Sequence, residues 1–330
     1  MIVFVDPEMP GITRRKLKNG WAYSDAKGVR INDRDEIDRL NRIALPPAYF
    51  DAWFCPSPHG HIQAIGYDAK DRRQYRYHPD FRATREAAKY DRCSDFGRAL
   101  PLLRAQVERD LGGKPTERAA VIAAVVRLLD IGRVRVGNEA YAQSNKSFGA
   151  TTLRTRHAKV AGSKLSLQYR AKSGVMRKLT LTDKGLLRVV RRVQDLPGQN
   201  LFQYLGPDGA PCAVGSADVN AYIKEATGDD FTAKHFRTWS ASVIALEQVM
   251  VACKAGIKPK LVDILLPVAD ALGNTPAIAR KSYVHPRVLG LCATGLDAEK
   301  SPRSTRWLSS AERALIALLD DAATDLSKAA

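Results

Sequence analysis

Several features that mark common classes of protein are missing from this sequence of 330 residues. Its five cysteines are scattered without a CxxC pair, which argues against a structural zinc site and a disulfide framework. No GxxxxGK[ST] loop, GxGxxG turn, HExxH pair or EF-hand loop occurs, and no tight group of Asp and Glu suggests a two-metal nuclease. We therefore expect no metal and no nucleotide cofactor.

Long apolar runs and acidic residues are also scarce. No segment approaches the ~18 consecutive apolar residues that a membrane helix requires, and unpaired cysteines fit a reduced, cytoplasmic setting. The chain carries 52 Lys and Arg against 35 Asp and Glu, which gives a net charge of +17. Such a field favours a polyanionic partner, most often nucleic acid, and the alternative is a basic surface that binds nothing.

The positive charge is unevenly distributed along the chain. Residues 1–83 hold 14 basic and 11 acidic residues, whereas the remainder holds 38 and 24. The densest stretch, residues 151–192, has twelve Lys and Arg and a single acidic residue, Asp183. A solvated helix face normally interleaves both signs, and this stretch does not.

The hydrophobic pattern predicts an α+β chain with two domains. Residues 1–83 contain short alternating runs separated by turns, as in LKNGWAYSDAKGVRI and HGHIQAIGYDAKDRRQYRYHP, with one short helix over residues 34–43. We predict a small strand-rich N-terminal domain over residues 1–83 and a larger, mainly helical domain over residues 84–330.

The larger domain combines long helices with one inserted β-hairpin. TERAAVIAAVVRLLDIG reads as a buried helix that Gly132 ends. Alternation begins at Lys164, AKSG makes a turn, and VMRKLTL returns as the second strand. Further helices are expected around KHFRTW, across LVDILLPVADAL with an interruption at Pro267, and from Pro276 through Tyr283.

A tyrosine surrounded by cations can break a phosphodiester without a metal. The phenol has a pKa of ~10 and needs positive neighbours to ionise on attack. Arginine forks suit the negative charge that develops on the phosphate oxygens, and a lysine can protonate the leaving 5′ oxygen. Two arginines, one lysine, one further donor and a tyrosine make a complete set.

The chain offers such a set at wide spacing. Its members are Arg135 just past the buried helix, Lys172 at the hairpin tip, Arg237 in KHFRTW, Asn274, and Tyr283. Each has an ordinary structural explanation, because an arginine after a helix commonly faces the helix dipole, a turn lysine is commonly solvated, and a tyrosine commonly packs.

Six blocks, taken in order, resemble the type IB DNA topoisomerases of the bacterial and poxvirus-type branch. They are LNRIALPPAYFDAW, DAKDRRQYRYHPDF, RVRVGNEAYAQSNKSFGATTLRTRH, YRAKSG, KHFRTW and GNTPAIARKSYVHP, and the resemblance as a whole runs from about Gly11 to His285. The resemblance implies Tyr283 as nucleophile, Arg135 and Arg237 as phosphate clamps and Lys172 as general acid. Asn274 stands where poxvirus-type and eukaryotic members have histidine, so a neutral donor is expected there.

The resemblance also implies a monomer that clamps duplex DNA. It cleaves one strand through a 3′-phosphotyrosyl link, lets the free strand rotate and rejoins it without ATP, in the cytoplasm at the nucleoid. The expected DNA contacts are Lys70, Arg73, Gln74, Tyr75 and Tyr77 in the N-terminal domain, and Tyr141, Asn145 and Thr152 in the catalytic block. For Tyr75 and Tyr77, which alternate on one strand face with Arg73, packing within the sheet is the competing interpretation.

Two other functions fit parts of the sequence. A site-specific tyrosine recombinase shares the chemistry and carries a histidine shortly before its second arginine, as His235 precedes Arg237 here. Recombinases lack the strand-rich N-terminal domain with PPAY and QYRYH. A DNA-packaging protein without enzymatic activity would use the positive field alone.

Overall fold

The computed structural model describes residues 1–296 and 302–329 and divides into two units, Met1–Asp91 and Arg92–Ala330. The first unit is built on a five-stranded antiparallel sheet in the order β2-β1-β3-β4-β5. Its elements are β1 (Ile12–Leu17), β2 (Gly20–Ser24), α1 (Arg34–Arg42), β3 (Phe50–Phe54), β4 (Ile62–Tyr67), β5 (Arg73–Tyr77) and α2 (Pro79–Asp91).

One face of this sheet and α1 enclose a small core. Asp33 caps α1 by accepting a hydrogen bond from the backbone N–H of Asp35, and the helix buries Leu40 against the sheet. Tyr23 is 2% exposed, meets the Phe54 ring edge-on at 5.5 Å and donates its hydroxyl to Asn41. The strand-rich N-terminal unit predicted from the sequence is therefore present.

The two units divide at residue 91, whereas the sequence predicted a domain boundary after residue 83. Residue 83 lies inside α2, which begins at Pro79 and runs to Asp91 as part of the first unit. The hydropathy pattern changes where this helix begins, and the division between the units comes where it ends.

The second unit is mainly helical with two small sheets. Its elements are α3 (Cys93–Gly112), α4 (Arg118–Gly132), α5 (Glu139–Asn145), β6 (Ala158–Ala161), β7 (Lys164–Arg170), β8 (Met176–Leu181), α6 (Lys184–Val193), β9 (Gln203–Leu205), β10 (Pro211–Ala213), α7 (Ser216–Thr227), α8 (Ala233–Lys254), α9 (Leu261–Leu272), α10 (Pro276–Ser282), α11 (Pro286–Thr294) and α12 (Ser310–Ala329). The α+β class predicted from the sequence is confirmed.

Helix α4 lies at the centre of this unit because its apolar residues surround the whole helix axis. The run from Ala120 to Val126 is buried without a break, and α3, α6, α7 and α8 pack around it. The helix ends as predicted at Gly132, and Arg133 then adopts a left-handed conformation with φ of 54°. This turn leads the chain directly toward Arg135.

Two details of the second unit differ from the sequence prediction. The inserted hairpin β7–β8 gains a third strand, β6, and β9 and β10 form a separate pair; strands of three or four residues leave little periodicity to detect. Pro267 does not interrupt α9. The carbonyl that it leaves without a helical partner belongs to Asp263, which is an exposed residue, so the missing N–H costs little.

The last described helix joins the core through a buried charge network. Glu312 of α12 is 7% exposed and accepts hydrogen bonds from Arg104 of α3 and from the indole N–H of Trp239 in α8. Arg104 also forks onto Asp130 of α4 with N–O distances of 2.8 and 2.9 Å. Helices α3, α4 and α12 therefore meet at one guanidinium, and α8 joins them through Glu312.

No single helix within residues 1–296 and 302–329 is long and apolar enough to cross a membrane. Helices α9 and α10 reach that length only when counted together, across a bend of 91°.

Replacement of Arg104 by alanine is expected to destabilise the helical unit by about 3–5 kcal/mol, because Asp130 and Glu312 would keep buried charges without a partner. Urea unfolding followed by circular dichroism measures the loss. The control is Arg98→Ala, whose side chain is 50% exposed and pairs with Asp95 and Asp320, with an expected loss below about 1 kcal/mol. Equal losses in the two variants would contradict the buried network.

Candidate active site

Tyr283 lies between two helices and not within one. Gly273 ends α9 with φ of +61°, and Thr275 caps α10 by accepting a hydrogen bond from the N–H of Ile278. Helix α10 ends at Ser282, and Tyr283 follows with non-helical φ and ψ of −133° and −43°. The prediction that Tyr283 sits inside the helix is wrong by one residue, because the next helix, α11, begins at Pro286 and forces a break.

Arg237 packs against the Tyr283 ring from the buried side of α8. Its guanidinium carbon lies 4.8 Å from the ring centroid, and the residue is only 4% exposed. Nη1 donates to the carbonyl of Arg133 at 2.6 Å and Nη2 to the carbonyl of Leu272 at 3.1 Å. Since neutral carbonyls hold the guanidinium, its charge is not cancelled by a carboxylate among the described residues.

Arg135 and Asn274 meet beside this pair. Nη2 of Arg135 donates to Oδ1 of Asn274 at 2.9 Å. The Nδ2 atom of Asn274 is buried and has no hydrogen-bond partner among the described residues. The amide therefore uses its acceptor on Arg135 and keeps both N–H donors available, as a neutral donor to phosphate would require.

The backbone of Arg135 is fixed by a neighbouring segment. Its carbonyl accepts from the N–H of Ala150 at 2.8 Å, and the carbonyl of Val136 accepts from Thr151 at 2.7 Å. Thr152 closes this segment by accepting the N–H of Gly149 on its hydroxyl, and it is 2% exposed. The sequence interpretation of Thr152 as a DNA contact is at odds with this burial; its side chain supports the turn that carries Arg135.

The charges around Tyr283 favour its ionised form. Burial by itself raises the pKa of the Tyr283 phenol. The charges of Arg237 and then Arg135, together with hydrogen bonds from both guanidinium groups, outweigh that effect, so the pKa of Tyr283 lies below its usual value. Burial and the charge of Arg135 lower the pKa of Arg237 in turn. The cluster therefore holds two cations and one acidic phenol at close range.

Lys172 is not joined to this cluster. It begins the short 3₁₀ turn between β7 and β8, where Ser173 and Gly174 adopt φ of 64° and 77°. Its side chain is exposed and its ammonium makes no hydrogen bond or ion pair with any residue in the described part of the chain. The hairpin tip predicted from the sequence is present, but four of the five predicted catalytic residues come together and Lys172 stands apart.

The predicted DNA contacts of the first unit line its edge strand. Tyr75 and Tyr77 on β5 are 40% and 46% exposed, their rings stack at 5.9 Å, and the Arg73 guanidinium lies 5.6 Å from Tyr75. These three side chains share one face, as the alternation predicted. Gln74 points to the other face, where it donates to Asp68, and Lys70 is exposed in the turn before the strand.

The remaining predicted contacts lie on α5 of the second unit. Tyr141 is 51% exposed, and Asn145 is half-buried at the end of the same helix. Asn138 caps this helix by accepting the N–H of Tyr141. Both side chains are accessible to a ligand.

Sequence reasoning missed Arg177 of β8 and Tyr169 of β7. Tyr169 is 3% exposed, and the cations nearest its hydroxyl are Arg177, Arg237 and Arg135. The signal was present, because Arg177 alternates with Leu179 and Leu181 and so occupies a position that faces the core. A charged residue at such a position indicates a specific buried partner.

Within the described ranges, no three His, Cys, Asp or Glu side chains come close enough to hold a metal ion. His235 lies two residues before Arg237 and therefore on the opposite side of α8. Its Nδ1 accepts the N–H of Thr232, and its ring packs against Phe96 and Phe231.

Comparison with known proteins accounts for this arrangement. The family described as "Eukaryotic DNA topoisomerase I, catalytic core" matches residues 78–287, and the family described as "Bacterial DNA topoisomerase IB, N-terminal domain" matches residues 20–68. The chain belongs to the type IB DNA topoisomerases. The DNA topoisomerase 1B of Acanthamoeba polyphaga mimivirus is 30% identical over 287 residues, which are 84% of this chain and 85% of the viral protein.

More distant structural likeness exists to a recombinase. The XerH site-specific recombinase, bound to its difH substrate in post-cleavage and pre-cleavage complexes, aligns at 15% and 14% identity with TM-scores of 0.35 and 0.33. The alignments cover 56% of this topoisomerase and 47% and 48% of the recombinase chains. Scores this low do not bear on the site.

Replacement of Arg237 by alanine is expected to raise the pKa of Tyr283, because burial would then act against a weaker positive field. NMR titration of Cζ-labelled tyrosine measures the shift, and Tyr283→Phe identifies the resonance. Arg98→Ala, which removes an exposed arginine paired with Asp95 and Asp320, is the control and should leave the pKa of Tyr283 unchanged. A Tyr283 pKa that is unchanged or lower in Arg237→Ala would contradict the electrostatic role of Arg237.

Proposed function

We propose that this topoisomerase relaxes supercoiled duplex DNA through a covalent Tyr283 intermediate. The observation that carries the proposal is the contact of the Tyr283 phenol with Arg237 and Arg135, two guanidinium groups without a carboxylate partner in the described structure. Two uncompensated cations at one phenol, Arg237 buried and Arg135 half-buried, are costly unless an anion binds there. A DNA phosphate supplies that anion.

In the proposed reaction the Tyr283 oxygen loses its proton to solvent water and attacks the phosphorus of one strand. The bond to the 5′ oxygen breaks, and a 3′-phosphotyrosyl link forms in its place. Arg135 and Arg237 stabilise the charge on the non-bridging oxygens, and the unpaired Nδ2 of Asn274 donates to one of them. The 5′ hydroxyl later attacks the phosphotyrosine in reverse, so the bond energy is conserved and no ATP is consumed.

Lys172 is the proposed general acid for the 5′ oxygen. Its ammonium has no described partner and sits on a turn of three residues, so a modest movement of the hairpin tip could carry it to the leaving group. Between cleavage and rejoining, the strand beyond the break rotates about the intact strand, which removes supercoils.

Exposed and half-buried residues of both units are the proposed DNA contacts. On β5 they are Arg73, Tyr75 and Tyr77, with Lys70 and Gln74 beside them, and on α5 they are Tyr141 and Asn145. Stacked, exposed tyrosines beside an arginine suit contact with sugars, bases and phosphates. We place the enzyme in the bacterial branch, acting as a monomer on chromosomal DNA in the cytoplasm.

The recombinase alternative has less support. The match to a bacterial topoisomerase N-terminal domain covers residues 20–68, and His235, whose position in the sequence did not exclude a recombinase, caps α8 on the side away from Tyr283. A DNA-packaging protein would not need the Tyr283 cluster at all.

Replacement of Tyr283 by phenylalanine is expected to abolish plasmid relaxation and the covalent adduct while DNA binding persists, because only the attacking oxygen is removed. Relaxation in EDTA and a denaturing gel for tyrosine-linked 3′ DNA measure both losses. Tyr204→Phe removes a hydroxyl from β9 and should behave as wild type. Relaxation at a normal rate by Tyr283→Phe would sink the proposal, and strand exchange between paired sites would favour a recombinase.

Replacement of Lys172 by alanine is expected to slow cleavage by roughly 10²–10⁴-fold, the usual contribution of a general acid. A substrate with a 5′ phosphorothiolate needs no proton on its leaving sulfur and should restore most of the rate. Lys184→Ala, an exposed lysine at the start of α6, is the matched control. If the sulfur substrate gives no recovery, Lys172 is not the acid.

A further inference from the structure

Arg177 reaches from the lysine hairpin to the end of α9. Its Nη1 donates to the carbonyl of Asp270 at 2.9 Å and its Nη2 to the carbonyl of Ala271 at 2.8 Å. The last carbonyls of a helix lack partners within the helix and carry partial negative charge. A single guanidinium therefore caps two successive carbonyls at the C-terminal end of α9.

The residues that follow bear directly on the phosphate clamps. The next carbonyl, that of Leu272, accepts Nη2 of Arg237, and the side chain of Asn274 accepts Nη2 of Arg135. Both candidate clamps, Arg135 and Arg237, are therefore hydrogen-bonded to the turn after α9, and Arg177 binds the carbonyls that come directly before that turn. If that turn moves, both guanidinium groups lose a partner together.

Gly273 makes room for this contact. A Cβ atom at residue 273 would lie 2.7 Å from Cδ of Arg177, which is closer than carbon atoms approach without displacement. Gly273 also adopts φ of +61°, a conformation that glycine reaches without strain. Both the lack of space for a Cβ atom and the backbone conformation therefore favour glycine at this position. The arginine stem occupies the space that any side chain at residue 273 would need.

The other end of Arg177 is held in the sheet. Arg177 pairs in register with Tyr169 on the adjacent strand β7, and the buried hydroxyl of Tyr169 is hydrogen-bonded to the guanidinium. The pairing with Tyr169 and the two carbonyls of α9 therefore direct the guanidinium toward the turn.

We propose that Arg177 is a positioning residue of the cleavage reaction, which holds the Gly273–Asn274 turn so that Arg135, Arg237 and Asn274 face the phosphate together. The inference rests on the proposed function. Arg177 touches neither substrate nor Tyr283 in this proposal. It acts through the two clamps and the amide, independently of the general acid at the tip of the same hairpin.

Replacement of Arg177 by alanine is expected to slow cleavage and rejoining alike by about 10–100-fold in single-turnover assays, because misplacement of the clamps by about 1 Å costs that much. Non-covalent DNA affinity should stay within about twofold. The 5′ phosphorothiolate should give no recovery. Thr180→Ala, exposed on the same strand, is the control with wild-type rates. Recovery with the sulfur substrate would assign the effect to Lys172 and overturn the proposal.

A double-mutant cycle with Asn274→Ala tests the route of the effect. If both residues act on one turn, the combined variant should be little slower than the slower single variant. A double variant slowed by the product of the two single-variant factors would contradict the proposal. Arg177→Lys keeps the charge but loses the fork, so its rate should stay at least about fivefold below wild type; a wild-type rate would mean that charge alone matters. This variant replaces Arg177→Ala if circular dichroism shows that the alanine protein is unfolded.

The same assays separate this proposal from the proposed function. A wild-type protein that forms no Tyr283 adduct refutes the function itself. A wild-type protein that forms the adduct, together with an Arg177→Ala variant that forms it equally fast, refutes only the role of Arg177.

Discussion

The burial of Arg237 is the constraint on which the second unit depends. A guanidinium that is 4% exposed needs acceptors for its N–H groups, and here the carbonyls of Arg133 and Leu272 accept from its two Nη atoms, while Nε has no hydrogen-bond partner among the described residues. Each carbonyl can accept a hydrogen bond from Arg237 because a helix ends there. Arg133 follows the last residue of α4, and Leu272 is the last residue of α9. Arg133 after α4 and Gly273 after α9 both adopt a left-handed conformation, and these two turns together form the cradle that holds the Arg237 guanidinium. The positive charge of Arg237 remains available to an anion because neither of these two turns supplies a carboxylate to it.

The sequence predicted most of the architecture that forms this cradle. The buried helix ending at Gly132, the hairpin with Lys172 at its tip and the glycine before Asn274 all follow from local signals of periodicity and turn chemistry. The blocks around Arg135, Arg237 and Asn274 were matched by position to one family. Their assembly spans 139 residues between Arg135 and Asn274, a separation that no local pattern could have specified.

Other features depended on tertiary contacts and were therefore missed. Thr152 was read as a DNA contact because its block matches the family, yet its hydroxyl closes a buried turn. Pro267 suggested a broken helix, but its cost is small where the carbonyl left without a helical partner belongs to an exposed residue. The alternation of Arg177 with Leu179 and Leu181 places it on the core side of β8, but the pattern does not identify its partners, which include main-chain carbonyls of α9.

The presence of asparagine at residue 274, where related enzymes have histidine, has a consequence for how the site responds to pH. A histidine at residue 274 would gain and lose a proton near neutral pH. The amide of Asn274 is neutral at any such pH, and arginine side chains stay protonated. His285, two residues after Tyr283, is held neutral as well, since burial and then the charge of Arg287 lower its pKa to about 4. The side chains proposed to contact the phosphate, those of Arg135, Arg237 and Asn274, consequently do not depend on a histidine that titrates near neutral pH.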